Sequence, residues 1–222
     1  MVGTAGGVAS AGYFEERYGS RTWEWYHFLL ADVVQHSKPG PILDVGAGHG
    51  LFTEAAARWG LDCVGLEGSQ VGIDLARARY PEIEIVHGLL DDPMPFDDGQ
   101  FQTALMYQVI QVLEPQVARY AVSEVFRVLR PGGVFFVASN SKAQRNPDPT
   151  QVNRYAPSEL AALLRSAGFT KLLPRNGPRH PSNKLLRGMV HVLFKLAPSD
   201  FLSATATFVA FKPMAPRSTA DR

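Results

Sequence analysis

Apolar residues along the chain follow two alternating patterns: short runs rich in β-branched and aromatic residues, and longer runs with apolar positions three and four apart. The short runs predict strands and the longer runs predict helices. The predicted strands are ILDVG, DCVGLE, IEIVHG, FQTALMY, VFFVAS, FTKLLP and ATATFVAFKP. Helical runs separate most of these strands, which is typical of a parallel sheet covered by helices.

Local signals mark the ends of the predicted helices. Ser69 is placed to cap the helix SQVGIDLARAR, Gly60 ends the helix LFTEAAARW, and RPGG ends the helix QVARYAVSEVFRVL. Two further helices are predicted over RTWEWYHFLLADVVQ, before the first strand, and over SELAALLRSAG, before the sixth. No internal repeat interrupts this order.

The composition suits a single domain, since 222 residues with 45% apolar content can bury a substantial core. The 22 Lys and Arg against 21 Asp and Glu leave a net charge of +1, so we expect no global attraction to nucleic acid. The N-terminal stretch lacks the basic start and apolar centre of a signal peptide, and no uncharged apolar run reaches about 18 residues. We therefore expect a cytoplasmic protein without stable membrane insertion.

The stretch ILDVGAGHG at residues 42–50 joins an apolar strand to three glycines spaced by single residues. At the carboxyl edge of a parallel sheet, such a turn presents bare backbone to a ligand. Glu67 closes the second strand 21 residues after Gly46, where an acidic side chain can accept both hydroxyl hydrogens of a ribose. These features indicate a nucleoside site, and an ordinary tight turn is the alternative.

Two nucleoside cofactors compete for this site. The dinucleotide fingerprint is G-x-G-x-x-G, whereas the glycines here are Gly46, Gly48 and Gly50, with Asp44 two residues ahead of the first. A carboxylate at the turn repels a pyrophosphate but tolerates or attracts a cofactor that carries a sulfonium and an ammonium group. The charge favours S-adenosylmethionine over a nicotinamide dinucleotide.

Four stretches resemble, in order, the motifs of class I S-adenosylmethionine-dependent methyltransferases: ILDVGAGHGLFTEAAARWG, CVGLEGS, DDPMPFDDGQFQTALMYQVIQVLEP and EVFRVLRPGGVFFVAS. They span about residues 42–139, within a wider similarity from roughly Tyr13 to Pro213. The resemblance implies an α/β fold: a Rossmann-like doubly wound sheet of about seven mostly parallel strands with helices on both faces.

The resemblance also implies roles for individual residues. The glycine turn would approach the methionine part of the cofactor, Asp44 would hold the turn and face the ammonium group, and Glu67 would bind the ribose. The implied cofactor-binding set is Asp44, Gly46, Ala47, Gly48, Glu67, Gly68, Ser69, Leu89, Leu90, Tyr107 and Gln108.

Two positions depart from the family pattern. Many relatives have Gly-Asp after the third strand, whereas this chain has Gly88, Leu89 and Leu90; Asp91 is an alternative partner for adenine and equally a turn residue. Many small-molecule O-methyltransferases of this type carry a histidine in LEH after the fourth strand, where this chain reads VIQVLEP, with Gln111 and Val112 at that place. The usual candidate base is missing, but methyl transfer depends mainly on holding the reacting groups in line.

The candidate catalytic residues are Tyr107, at the end of the fourth strand, and His180, in the loop GPRHPSN. Tyr107 can equally be an aromatic residue packed on the sheet, and Asn140 is expected to line the same edge after the fifth strand. No histidine or cysteine pattern indicates a metal site. The motif of adenine N-methyltransferases and the nucleophilic cysteine of cytosine C5 enzymes are both absent, so we expect a small-molecule acceptor and no nucleic acid.

We expect one methyltransferase domain over residues 1–222, with N-terminal cap helices at 1–38, a cofactor-binding core at 39–142 and a substrate-side part at 143–222. Seven aromatic residues before the first strand either form an apolar pocket over the cofactor or cover one edge of the sheet. They are Tyr13, Phe14, Tyr18, Trp23, Trp25, Tyr26 and Phe28.

Residues 160–199 contain seven Lys and Arg and no acidic residue. Within them, NKLLRGMVHVLFKLAP predicts an inserted helix near 183–197 that overhangs the substrate mouth, with a packed apolar face. Its polar residues Lys184, Arg187, His191 and Lys195 are expected in solvent. Two functions stay open: an ordinary covering helix, or a lid that attracts an acidic or lipid-linked acceptor.

The favoured hypothesis is methyl transfer from S-adenosylmethionine to an oxygen or nitrogen of a small molecule. The alternatives are a nicotinamide-dependent oxidoreductase and a non-catalytic S-adenosylmethionine-binding protein. The oligomeric state is left unassigned.

Overall fold

A computed structural model describes residues 22–143, 148–178 and 184–215, and seven strands in them form one sheet. The strands are β1 Ile42–Val45, β2 Cys63–Glu67, β3 Glu84–His87, β4 Phe101–Tyr107, β5 Leu129–Asn140, β6 Lys171–Pro174 and β7 Thr205–Phe211. Their order is β3-β2-β1-β4-β5-β7-β6, with β1 to β5 paired in parallel and β7 antiparallel to both β5 and β6. This architecture confirms the expected mostly parallel, Rossmann-like sheet.

Helices connect the strands as the sequence pattern predicts. They are α1 His27–His36, α2 Leu51–Arg58, α3 Gln70–Arg79, α4 Pro115–Val128, α5 Pro157–Ser166 and α6 Lys184–Leu196. The Ser69 side chain accepts a hydrogen bond from the Gly72 backbone N–H at 3.3 Å, so the predicted cap of α3 is confirmed. Short 3₁₀ turns lie at Trp23–Tyr26, Ile110–Val112 and Asp200–Leu202.

The stretch RPGG differs from its prediction, because it lies within β5 and not ahead of it. Helix α4 ends at Val128, and the strand begins at once with Leu129. Phe101 pairs with Leu129, but Thr103 pairs with Val134, so the intervening residues bulge out of the ladder. Gly132 supplies the positive φ, 77°, within this bulge.

The core forms two layers, one on each face of the sheet. Alternate residues of β4 and β5 point to opposite faces, as the pleat requires: Met106 joins one layer and Leu105 the other. Helices α4 and α5 cover the first face, and α1, α2 and α3 cover the second. The sheet is therefore doubly wound, and its carboxyl edge is where the loops of both layers meet.

The connection between β6 and β7 lies at this same carboxyl edge. Strand β7 begins opposite the last residue of β5, Asn140, because the two strands are antiparallel. The base of the connection is closed by a bridge between Pro178 and Ser203 and by a hydrogen bond of 2.7 Å from the Ala204 N–H to the Gly177 carbonyl. Helix α6 thus projects from the edge of the sheet that carries the glycine turn.

The packing expected for α6 is wrong. Val190 is buried, but the large apolar residues of the predicted packing face are exposed. Their exposed fractions are Leu185 78%, Leu186 48%, Met189 54%, Val192 58%, Leu193 49% and Leu196 78%. A periodic pattern shows which side chains share a helix face, but it carries no information about what covers that face. None of the described helices is long and apolar enough to cross a bilayer.

Candidate functional site

The glycine turn after β1 has a backbone that only glycine adopts easily. Gly46, Gly48 and Gly50 have φ values of 76°, 59° and 80°. A Cβ atom on Gly46 would lie 2.6 Å from Val109 Cγ2, and one on Gly50 would lie 2.5 Å from Ile83 Cδ1. Tight packing within the protein therefore explains the first and third glycines without any ligand.

The backbone N–H groups of the turn are largely used by the protein itself. Gly46 and Ala47 donate to the Leu66 carbonyl at 2.8 and 3.0 Å, and Gly50 donates to the Ala47 carbonyl at 3.0 Å. Gly48 donates to Glu67 Oε2 at 2.8 Å. A dinucleotide pyrophosphate needs such groups directed at its oxygens, so this arrangement argues against the nicotinamide alternative.

Glu67 joins the glycine turn to the loop after β2. Its Oε2 accepts from Gly48, and its Oε1 accepts from the Ser69 N–H at 2.8 Å. Burial raises the pKa of this carboxyl group, while the hydrogen bonds from Ser69 and Gly48 oppose that rise. An ionised carboxylate has about four acceptor positions, so these backbone hydrogen bonds do not use all of them and a ligand hydroxyl group can still donate to Glu67.

Asp44 lies beneath the turn and is 4% exposed. The Thr53 hydroxyl donates to Asp44 Oδ2 at 2.9 Å. Burial is the main cause that raises the Asp44 pKa to about 7, and the nearby charge of Glu67 adds to the rise. Within the described residues, no ion pair involves Asp44 or Glu67. One buried and one half-buried carboxyl group without an ion-pair partner favour a positively charged ligand.

The loop after β3 carries two implied cofactor-binding residues, Leu89 and Leu90, and only Leu89 lies beside Gly68. A Cβ atom on Gly68 would lie 3.1 Å from Leu89 Cδ2, so Leu89 stands beside the loop that carries Glu67. Leu90 packs against the core layer, and Asp91 is exposed in a bend. The structure therefore brings Gly68, Ser69 and Leu89 together.

Tyr107 lies among aromatic side chains from the first turns of the described chain. Its ring centroid is 5.9 Å from that of Trp25, 6.2 Å from that of Tyr26 and 6.3 Å from that of Phe28, all in edge-on geometry. The aromatic residues around it thus cover the sheet and also reach the end of β4. A catalytic role for Tyr107 stays a prediction, and the other candidate, His180, lies outside the described residues.

A small cavity of about 20 Å³ adjoins Tyr107 on the same face, between α1 and the sheet. Leu29, Asp32 and Phe136 are among its lining residues. This volume has room for about one water molecule, so an acceptor must bind elsewhere or displace the cover.

A network of side-chain amides at the ends of β4 and β5 went unnoticed in the sequence. Gln111 is 3% exposed, and its Nε2 donates to Gln108 Oε1 at 2.8 Å. Its Oε1 accepts from the Asn140 N–H, and its carbonyl accepts from the Asn153 N–H at 3.0 Å. Asn140 Nδ2 in turn donates to Gln151 Oε1 at 3.2 Å. Gln111, in the stretch where many relatives carry a histidine, thus has both polar atoms of its side chain hydrogen-bonded within the protein.

Gln108 has a backbone conformation that is unusual for its residue type. Its φ is 62°, the left-handed region, and its N–H donates to the Ala138 carbonyl at 2.9 Å. Such conformations are costly outside glycine and concentrate at functional sites. The bond from Gln111 and the bond to Ala138 hold the side chain and the backbone of this residue in place.

His49 lies inside the glycine turn and is 7% exposed. Burial lowers its pKa to about 4, and the charge of Arg79 acts in the same direction. The imidazole is therefore neutral near pH 7 and supplies no charge to the site. The residues described contain no cluster of three or more histidine, cysteine or acidic side chains suited to a metal ion.

Comparison with known proteins gives this geometry its context. Residues 43–137 match the family described as "Methyltransferase domain". A probable S-adenosylmethionine-dependent methyltransferase of Mycolicibacterium smegmatis is 33% identical over 165 residues, which are 71% of this chain and 62% of the relative. A demethylmenaquinone methyltransferase of Renibacterium salmoninarum is 32% identical over 136 residues, 61% of this chain and 56% of the relative. The chain spans less than two thirds of the length of both relatives.

The fold is also that of a known structure. A crystal structure of a SAM-dependent methyltransferase from Archaeoglobus fulgidus superposes with a TM-score of 0.69, covering 90% of this chain and 98% of that one. Its sequence identity is 17%, so this similarity concerns the fold alone. The family match over residues 43–137, the names of the relatives and the shared fold together support a class I S-adenosylmethionine-dependent methyltransferase, whose cofactor is S-adenosylmethionine.

Proposed function

We propose that the chain transfers a methyl group from S-adenosylmethionine to an oxygen or nitrogen of a small-molecule acceptor. The observation that supports this most strongly is the pair of buried Asp44 and half-buried Glu67, two carboxyl groups with raised pKa values beside a glycine turn. A ligand with an ammonium and a sulfonium group would stabilise their ionised forms. When bound, S-adenosylmethionine supplies a methyl group that the positive sulfur activates toward nucleophiles.

Each protein group in this site has a role that its surroundings permit. The free acceptor positions of Glu67 would bind the ribose hydroxyls, and Asp44 would face the ammonium group and keep the turn in place through Thr53. Gly68, Ser69 and Leu89 would border the adenosine. The turn residues Gly46, Ala47 and Gly48 would lie against the methionine part.

The acceptor would bind where β4 and β5 end, beside Tyr107 and the amide network. Both polar atoms of the Gln111 side chain are already bonded, and an amide cannot act as a general base near pH 7. Binding and orientation of the acceptor would then supply most of the catalysis. This favours an acceptor whose nucleophilic oxygen or nitrogen needs no strong base, and the name of the Renibacterium relative supports a small molecule.

Two measurements test this function. Calorimetric titration with S-adenosylhomocysteine should show binding, whereas nicotinamide dinucleotides should show none; the reverse result would restore the oxidoreductase alternative. Incubation with S-adenosylmethionine and pools of small metabolites should then yield a product heavier by one methylene in mass spectrometry. Binding without transfer to any pool would instead favour the non-catalytic S-adenosylmethionine-binding protein.

A further inference from the structure

Helix α6 presents a continuous apolar face to solvent. At about 100° per residue, the side chains of Met189, Val192, Leu193 and Leu196 share an arc with Leu185 and Leu186 that is roughly 120° wide. All six are at least 48% exposed, and Phe201 in the following 3₁₀ turn is 73% exposed. Soluble surfaces rarely gather so many large apolar side chains on one helix without a binding purpose.

The other sides of α6 attach the helix to the domain and carry its exposed cations. Val190 is buried and Phe194 is half-buried, so this edge attaches the helix to the domain. Arg187 and Lys195 are exposed on the side away from the apolar face. The helix has no acidic residue, and the sequence has none from residue 160 to residue 199.

We propose that α6 docks the protein on an anionic lipid surface, with its apolar face in the boundary between headgroups and acyl chains. An amphipathic helix with cations on its polar side is suited to this position, because the cations contact anionic headgroups while the apolar side chains leave water. Its 13 residues are too few to span a bilayer, so the helix lies in the plane of the surface.

The charge of the helix selects a lipid surface over a protein partner. A second copy of the chain would bring together two helices that both lack acidic residues, so no ion pair would form between them. A neutral protein surface would offer the cations of the helix no opposite charge. Anionic headgroups provide many mobile negative charges, and they let long Lys and Arg side chains extend toward them.

The position of α6 gives this docking a consequence for the active site. The helix projects from the β6–β7 connection, at the carboxyl edge where Asn140 ends β5. Exposed Val112 and Val152 belong to loops at the same edge. Docking would therefore turn the proposed acceptor site toward lipid, and an acceptor dissolved in the membrane follows if the proposed function is correct.

The test is co-sedimentation of the 222-residue chain with vesicles of phosphatidylcholine, with or without phosphatidylglycerol, in the absence of cofactor and acceptor. We expect strong binding to the anionic vesicles that weakens as salt is added. Val192→Glu with Leu196→Glu should weaken that binding by about tenfold or more, because two apolar contacts are lost. The matched control is Val34→Glu with Leu75→Glu, two exposed apolar residues on α1 and α3 with the same change of charge.

Two further arms make the result decisive. Arg187→Gln with Lys195→Gln should remove most of the salt dependence and leave binding to neutral vesicles unchanged. Titration of every variant with S-adenosylhomocysteine verifies that it is folded. The vesicle assay contains no cofactor or acceptor, so its result does not depend on whether methyl transfer is detected. The proposal is overturned if the wild-type protein ignores anionic vesicles or if the control pair loses binding equally. It is also overturned if light scattering shows a dimer that the Val192 and Leu196 changes dissociate.

Discussion

Replacing Glu67 by glutamine separates the hydrogen bonds that this carboxylate accepts within the protein from its proposed task of binding the ribose. The carboxylate accepts one hydrogen bond from Gly48 and one from Ser69, both at 2.8 Å. Glutamine has a single acceptor oxygen, so one of these two N–H groups loses its partner. The cost to the ligand-free protein should be about 1 to 3 kcal/mol, as for a buried donor left unsatisfied.

Glu67→Gln should also weaken cofactor binding, and this effect appears as a fold-change in affinity. A hydrogen bond to a charged group contributes about 1.5 to 3 kcal/mol, so loss of one ribose contact lowers affinity roughly 10-fold to 150-fold. Calorimetry with S-adenosylhomocysteine measures this loss, and thermal unfolding measures the stability cost separately. Glu84→Gln is the matched control, because Glu84 is exposed on neighbouring β3 and loses the same charge. An affinity indistinguishable from wild type would refute the role assigned to Glu67.

The other predictions concern the groups around this carboxylate. Thr53→Val removes the hydroxyl hydrogen bond to Asp44 and should raise the pKa of Asp44 above about 7. The affinity for S-adenosylmethionine should increase with pH as Asp44 ionises, and calorimetry should show that this increase occurs at higher pH in the variant. The pKa of Asp44 in the folded protein lies above its ordinary value of 3.8, so its contribution to the free energy of unfolding is full below pH 3.8 and is lost as the pH rises through about 7. Asp44→Asn should abolish this decline in thermal melts of the ligand-free protein. His49 acts in the opposite direction: its folded-state pKa of about 4 lies below 6.5, so stability falls as pH drops between those values, and His49→Gln should reduce that fall in the same melts. Gln111→Met should lower kcat or raise the acceptor KM while S-adenosylhomocysteine affinity stays unchanged, and an unaltered kcat/KM would show that the amide network is only structural.

The sheet and the positions of the glycine turn and Glu67 could be predicted because local signals determine them. The strand and helix periods place β1 to β4 correctly, and Ser69 caps α3 as its residue type suggests. Glycine spacing and one acidic residue at the end of β2 were enough to locate the turn and Glu67. Each of these signals lies within a few residues of the feature that it predicts.

The amide network could not be predicted, because it depends on contacts between distant residues. Gln108, Gln111, Asn140 and Gln151 come from three separate stretches that meet only when β4 and β5 pair. The left-handed φ of Gln108 has no signal in its sequence, since glutamine ordinarily avoids that region. The exposure of α6 was missed for a related reason: periodicity defines a face but not its surroundings.

The closed base of the β6–β7 connection makes the sheet independent of the segment that the connection carries. Pro178 pairs with Ser203 and Gly177 bonds to Ala204, so the sheet is complete without residues 179–202. A short hairpin turn could replace that segment while every strand keeps its register. Insertions of different length and polarity could likewise be exchanged at this position, and a lineage could change the surface on which such an enzyme works without altering the site that holds its cofactor.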